Sequence, residues 1–106
     1  MFYELREYRI RKGKGDAWAR LMDEIIIPFQ REMGMTVVGS FVAADDPDLY
    51  IWMRRFESEA DRKRLYDAVY GSLRWREEIR PAMGDMLIRE KKREVIMTPT
   101  AASALR

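Results

Sequence analysis

Residues 48–58, DLYIWMRRFES, constrain the fold more than any other stretch of the chain. Their aromatic and β-branched content predicts a strand, and Ser58 is placed to begin a helix directly after it. Alternate side chains of a strand point to opposite faces. One face is wholly apolar and predicts contact with a packed helix: Leu49, Ile51 and Met53. The other mixes aromatic residues with a cation, which indicates a partly hydrated cavity or a subunit interface: Tyr50, Trp52, Arg54 and Phe56. An ordinary central strand with one amphipathic face explains the same pattern, so both interpretations remain open.

The residues before this strand predict a strand, a turn, a helix and a second strand. Residues 2–11 alternate loosely and predict the first strand, and KGKG at 12–15 predicts a turn. A phosphate-binding loop is not expected there, because Trp18 stands where its third glycine should be. Asp16 is the expected helix cap, and Pro28 should kink the helix before Gly34 ends it. The helical stripe is Trp18, Leu21, Met22, Ile25 and Phe29.

Residues 35–44 predict the second strand, in which Gly39 indicates a bulge or the close approach of another group. The acidic residues 45–48 predict a hairpin turn, and a hard-cation site is the less favoured alternative. Ser58 begins a helix with a second apolar stripe, and Ser72 caps a short further helix that Pro81 and Gly84 should end. Residues 87–97 predict a last strand with a charged, edge-like middle. The second stripe is Leu65, Tyr66, Val69 and Tyr70.

The order β-α-β-β-α-β predicts an α+β, ferredoxin-like domain over residues 1–97, followed by a tail at 98–106. Its four-stranded antiparallel sheet would carry the helices on one face. The other face would be uncovered and apolar, and this predicts a homodimer that packs sheet against sheet. The residues expected on that uncovered face are Tyr8, Ile10, Val38, Val42, Trp52 and Phe56.

The composition excludes several classes of function. The chain has no cysteine and no histidine, which excludes disulfides, thiolate nucleophiles, Cys or His zinc sites and triads with an imidazole base. Its 20 basic and 18 acidic residues alternate in sign, so a nucleic-acid partner is not expected. No apolar run approaches the length of a membrane span, and the first ten residues lack the apolar core of a signal peptide. We therefore expect a cytoplasmic protein without a membrane partner, cofactor or metal.

Several motifs resemble the NIPSNAP family over residues 1–97. They are YELREYRIR, the glycine turn, IIPF at 26–29, GSF at 39–41, LYIWMRRFES, and LYDAVYGS followed by Trp75. The resemblance implies the dimeric α/β-barrel superfamily, in which two ferredoxin-like sheets close a barrel. Relatives in that superfamily include cofactor-free monooxygenases, haem-degrading enzymes and small isomerases. Their histidine-dependent versions cannot operate here, and no matched motif carries a catalytic residue across.

The candidate ligand-binding residues share the parity of the mixed face. They are Glu4, Arg6, Ser40, Tyr50, Trp52 and Arg54. We predict a homodimer that binds a small aromatic or acidic metabolite. One alternative is a cofactor-independent monooxygenase or isomerase with Tyr50 or Trp52 in a closed apolar pocket. Another is a protein-interaction module that uses the apolar surface or the tail. Structural ion pairs of Glu4, Arg6 and Arg54 at the dimer interface explain the same residues equally well.

Overall fold

Four strands form one antiparallel sheet in the computed structural model, which describes residues 1–106. The strands are β1 (Phe2–Arg9), β2 (Thr36–Ala43), β3 (Asp46–Phe56) and β4 (Arg93–Met97). Their order in the sheet is β2-β3-β1-β4, so β1 and β3 occupy the centre. The helices lie between β1 and β2 and between β3 and β4 in the chain. The predicted ferredoxin-like α+β fold is therefore confirmed.

The first helical segment contains a widened turn immediately before its proline. It consists of α1 (Gly15–Leu21), a π turn (Met22–Ile26) and α2 (Ile27–Glu32). Pro28 has no N–H to give to the carbonyl four residues earlier, and the N–H of Ile27 instead reaches back five residues to the Met22 carbonyl. The extra residue in this turn changes which side chains of the helix face the core. Ile26 is therefore buried in place of the predicted Ile25, which is 40% exposed.

The second helical segment repeats this arrangement. The Ser58 Oγ accepts a hydrogen bond from the Asp61 N–H at 3.0 Å and caps α3 (Glu59–Tyr70), as predicted. The Ser72 Oγ accepts from the Trp75 N–H at 3.1 Å, after which a π turn (Trp75–Ile79) leads into α4 (Arg80–Met83). The prediction that Pro81 ends this helix was wrong, because Pro81 follows a π turn as Pro28 does, and the helix continues to Met83. Gly84, with a φ of +53°, follows the last helical residue.

The glycine turn holds a carboxylate supplied by the chain itself. The backbone N–H groups of Gly13 and Gly15 donate to the Asp48 carboxylate at 3.1 and 2.9 Å. A Cβ atom on Gly15 would lie 1.7 Å from the Pro47 carbonyl oxygen, so only glycine fits there. The prediction of Asp16 as the helix cap was wrong: α1 begins at Gly15, and Asp48 from the neighbouring strand satisfies the free N–H groups.

The two faces of β3 are reversed relative to the prediction. Tyr50, Trp52 and Phe56 are at most 2% exposed and belong to the core under the helices. Leu49, Ile51 and Met53 lie on the open face of the sheet and are only half-buried. Tyr8 and Ile10, also predicted on the open face, belong to the same core. By register, the residues that share the open face with Ile51 and Met53 are Leu5, Phe41 and Val95.

The edge strand β2 is bulged at the predicted glycine. Its register with β3 shifts between Val37 and Gly39. A Cβ atom on Gly39 would lie 2.5 Å from the Phe41 ring, which shows that the ring packs over this position. Both interpretations of Gly39, as a bulge and as a site of close approach, are thus confirmed. Val38 and Val42 are exposed on this edge strand.

The predicted last strand over 87–97 is interrupted. Leu87 forms an isolated bridge with Ile10, residues 89–91 form a single 3₁₀ turn, and β4 covers only Arg93–Met97 at the sheet edge. The tail from residue 98 makes local contacts, such as the Ser103 N–H with the Thr100 carbonyl at 3.0 Å. None of the helices combines the length and apolar character needed to cross a bilayer.

Replacing Trp52 by alanine should lower the free energy of unfolding by about 3–5 kcal/mol, because the buried ring is lost and a cavity remains. Trp52 is 2% exposed within the core. Urea denaturation followed by circular dichroism measures the change. Leu73→Ala is the control: Leu73 is 63% exposed, and we expect a change within about 0.5 kcal/mol. A loss below about 1 kcal/mol for Trp52→Ala would contradict the central position of this side chain.

Candidate functional site

A cavity of about 360 Å³ lies between the helices and the sheet. Ten of its lining residues are apolar or aromatic. The most deeply buried of them come from the first helical segment and β3, and each is at most 2% exposed: Trp18, Met22, Ile26 and Trp52. Tyr66, Tyr70 and Trp75 form an aromatic wall, in which successive ring centroids are 5.1 and 4.8 Å apart and the rings stand nearly edge to face. Such contacts hold the rings in fixed orientations.

All the charged residues that line the cavity are cations. They are Arg6, Arg76, Arg80, Arg89 and Lys92. All except the half-buried Arg6 are exposed, so they form a cationic rim around an apolar interior. Burial, together with the charges of Arg6 and Arg89, lowers the pKa of Lys92 below its ordinary value. The neighbouring cations thus add to the effect of burial on this pKa.

The cations of the rim come from two places that sequence patterns did not identify. Arg76 and Arg80 lie one turn apart, at the π turn and the start of α4. Arg89 and Lys92 belong to the 3₁₀ turn and the residue after it, where an uninterrupted strand was predicted. The spacing of Arg76 and Arg80 was the available signal, because residues four apart share a helix face.

Behind the aromatic wall lies a buried ion pair between Glu4 and Arg54, each 0% exposed. Arg54 Nη2 donates to Glu4 Oε1 at 2.6 Å, and Arg54 Nε donates to the same oxygen at 3.1 Å. Burial alone would lower the pKa of Arg54, but the nearby oxygens of Tyr70, Glu4 and Tyr66 outweigh burial and raise it. The guanidinium therefore stays charged and needs all of its acceptors.

The helices supply the remaining partners of this ion pair. Arg54 Nη1 donates to Gln30 Oε1 at 2.9 Å and to the Tyr70 hydroxyl at 2.8 Å. The Tyr66 hydroxyl donates to Glu4 Oε2 at 2.5 Å, and Arg62 Nε lies 3.3 Å from the same oxygen. The ion pair thus fixes the polar ends of two tyrosines whose rings line the cavity.

The six predicted site residues fall into three groups. Arg6 and Trp52 line the cavity. Glu4 and Arg54 lie behind its wall and hold the tyrosines. Ser40 and Tyr50 belong to a separate cluster at the β2 edge, in which the Ser40 Oγ is 2.7 Å from the Tyr50 hydroxyl and donates to Asp23 at 3.1 Å. Burial raises the pKa of Tyr50.

Three buried N–H donors of cavity-lining residues have no hydrogen-bond acceptor in the protein. They are Arg6 Nε, Trp18 Nε1 and Trp52 Nε1. Buried donors are normally satisfied, and a fourth unpaired donor, Arg55 Nε, lies outside the cavity lining. No group of three or more acidic side chains in residues 1–106 could hold a metal ion. The cations at the rim of an apolar interior are suited to a molecule that carries negative charge on an apolar body.

A double-mutant cycle should show strong coupling between Glu4 and Arg54. Glu4→Leu leaves the buried Arg54 without a carboxylate and should lower the free energy of unfolding by about 3–5 kcal/mol. Arg54→Met leaves Glu4 with Arg62 as its one remaining cation, at 3.3 Å, and should also be strongly destabilising. The double variant should lose clearly less than the sum of the two single losses. Urea titration measures all four proteins. Lys63→Met, which removes an exposed pair with Asp67, should leave stability nearly unchanged. Additive losses in the cycle would mean that the two charges do not compensate each other.

Comparison with known proteins gives a consistent family and fold. The model of the NIPSNAP family matches residues 3–104. No curated protein matches the sequence. A crystal structure of a NIPSNAP family protein from Agrobacterium tumefaciens is 29% identical, with a TM-score of 0.87 over 99% of this chain and 98% of that one. A second protein of that family and organism, described as having unknown function, is 27% identical. Its TM-score is 0.88, over 100% of this chain and 94% of that one. An antibiotic biosynthesis monooxygenase shares the fold at 16% identity. Its TM-score is 0.65, over 94% of this chain and 99% of that one.

Proposed function

The chain belongs to the NIPSNAP family, and we propose that it binds a small organic anion with an apolar body in the cavity between its helices and sheet. The observation that carries this proposal is the separation of charge from apolar surface. The interior is apolar and aromatic, and every charged group on the lining is positive. An aromatic acid matches both parts, because its ring can enter the cavity while its carboxylate stays near the rim.

The size of the cavity supports a small ligand. A volume of about 360 Å³ lies at the lower end of the range that small-molecule pockets occupy, about 300–1,000 Å³. The aromatic wall favours a flat body, because Tyr66, Tyr70 and Trp75 offer fixed rings against which a planar molecule can stack.

The charge of the rim should determine affinity. We expect 2-naphthoate to bind more tightly than the neutral 2-naphthamide, measured by isothermal titration calorimetry. The double variant Arg76→Gln, Arg80→Gln should weaken 2-naphthoate binding by about tenfold and leave 2-naphthamide binding unchanged, since two of the rim cations are lost. Added salt should reduce the difference between the two ligands.

The matched control is Lys63→Gln, which removes an exposed cation on α3 outside the cavity lining. It should bind 2-naphthoate as the wild type does. Equal binding of the acid and the amide by the wild type would refute recognition of an anion at the rim.

We propose further that the protein is a homodimer that buries the open face of the sheet. The helices cover only the other face, and the open face presents half-buried Leu5, Ile51, Met53 and Val95. Phe41 is 54% exposed at the same face. Glu7 and Arg93 border this apolar patch by register. An exposed apolar patch on a sheet is unfavourable in water, and a two-fold copy of the same surface is a simple cover for it.

Phe41→Asp should convert the dimer to a monomer, because it places a charge in the proposed apolar interface. Sedimentation velocity measures the mass of each species. The control is Leu73→Asp, which adds the same charge at a side chain that is 63% exposed and lies outside the sheet. The control should remain dimeric. A wild-type protein that sediments as a monomer would exclude the sheet-to-sheet pairing.

A further inference from the structure

We propose that the Tyr70 hydroxyl donates a hydrogen bond to an oxygen at the inner end of the bound anion. This inference rests on the proposed function, and it narrows the ligand to a carboxylate or other anion that carries a second acceptor, such as a ketone, at the far end of its apolar body. The evidence is the hydrogen bonding of a single hydroxyl group.

The orientation of the Gln30 amide is fixed by Arg54. A guanidinium has donors and no acceptor, so the amide atom 2.9 Å from Arg54 Nη1 must be the oxygen. The Gln30 Nε2 group is therefore the atom that lies 3.2 Å from the Tyr70 hydroxyl, and it donates to that oxygen. Gln30 is 0% exposed and also lines the cavity.

The Tyr70 oxygen consequently accepts two hydrogen bonds, one from Gln30 and one from Arg54 Nη1 at 2.8 Å. A phenolic oxygen has two acceptor sites and one proton. Both acceptor sites are occupied by donors, and no protein acceptor takes the proton. The proton is thus available to a bound molecule in the cavity that Tyr70 lines.

Tyr66 provides the contrast. Its hydroxyl lies in the same network and accepts from Arg54 Nη2 at 2.8 Å and from Arg6 Nη1 at 3.1 Å. Its proton, however, is committed to Glu4 Oε2 at 2.5 Å. Two neighbouring tyrosines on one wall therefore differ in the single property that matters here, which is whether the hydroxyl proton already has an acceptor.

The position of Tyr70 predicts recognition at two points. Its hydroxyl contacts Gln30 and Arg54, both 0% exposed, so it lies at the inner side of the cavity. The cations Arg76, Arg80, Arg89 and Lys92 are exposed at the rim. A hydrogen bond from the Arg54 cation makes the Tyr70 hydroxyl a stronger donor, because it withdraws electron density from the oxygen. The cavity should therefore prefer an acceptor oxygen over an apolar group of the same shape.

The test uses two ligand pairs of different length: 4-acetylbenzoate with 4-isopropenylbenzoate, and 6-acetyl-2-naphthoate with 6-isopropenyl-2-naphthoate. Within each pair only the ketone oxygen is replaced by a methylene group. In at least one pair the wild type should bind the ketone about fivefold more tightly by calorimetry. Tyr70→Phe should abolish this preference, because it weakens binding of the ketone more than binding of the isopropenyl compound. The infrared C=O stretch of the bound ketone should lie at lower frequency in the wild type than in Tyr70→Phe.

Tyr66→Phe is the matched control, because it removes a hydroxyl from the same wall whose proton already has an acceptor. This variant should keep the preference for the ketone and the lower C=O frequency. Equal affinity for both members of each pair in the wild type, or a preference that persists in Tyr70→Phe, would overturn the role of Tyr70 while the anion-binding proposal stands. Failure of all four anions to bind would overturn both proposals.

Discussion

The buried ion pair of Glu4 and Arg54 is the constraint on which the rest of the structure depends. A buried guanidinium is tolerated only where acceptors surround it, and β1 and β3 alone supply one carboxylate. The other oxygen acceptors are Gln30, Tyr66 and Tyr70, and all three come from the helices. Helices that docked on the opposite face of the sheet would leave Arg54 without these acceptors. The polar network therefore selects the face that the helices cover, even though both faces carry apolar side chains.

Local patterns predicted the elements of the fold well and their packing less well. The Ser58 cap and the Gly39 bulge depend on neighbours in sequence, and both were confirmed. Parity also grouped Trp52 and Arg54 on one face correctly. Parity could not tell which face the helices cover, because that depends on distant partners of Arg54. Gln30 lies 24 positions from it in the chain, and Glu4 lies 50 positions from it. A cation within a strand suggested hydration, whereas here it marks the most buried part of the sheet.

The cavity was harder to predict, because irregular backbone builds it. Pro28 and Pro81 each follow a π turn, and these turns shift the side chains that a regular helix would present. The 3₁₀ turn at residues 89–91 interrupts a segment with the composition of a strand. All six predicted site residues share one strand parity, yet only Arg6 and Trp52 line the cavity, because parity does not tell where along the strands the helices leave a cavity. The rim cations depend on where the helices and the last turn are placed.

Strand alternation explains how one small domain can hold a ligand site and an interface on the same two strands. Along β1 and β3, residues such as Arg6 and Trp52 point toward the cavity, and their neighbours Leu5 and Ile51 point to the open face. A register slip of one residue would exchange these sets and bring Arg54 to the open face. The alternation that places Glu4 and Arg54 under the helices places their neighbours Leu5 and Met53 on the open face. The two surfaces share strands but no side chains. A substitution on one face therefore leaves the side chains of the other face in place.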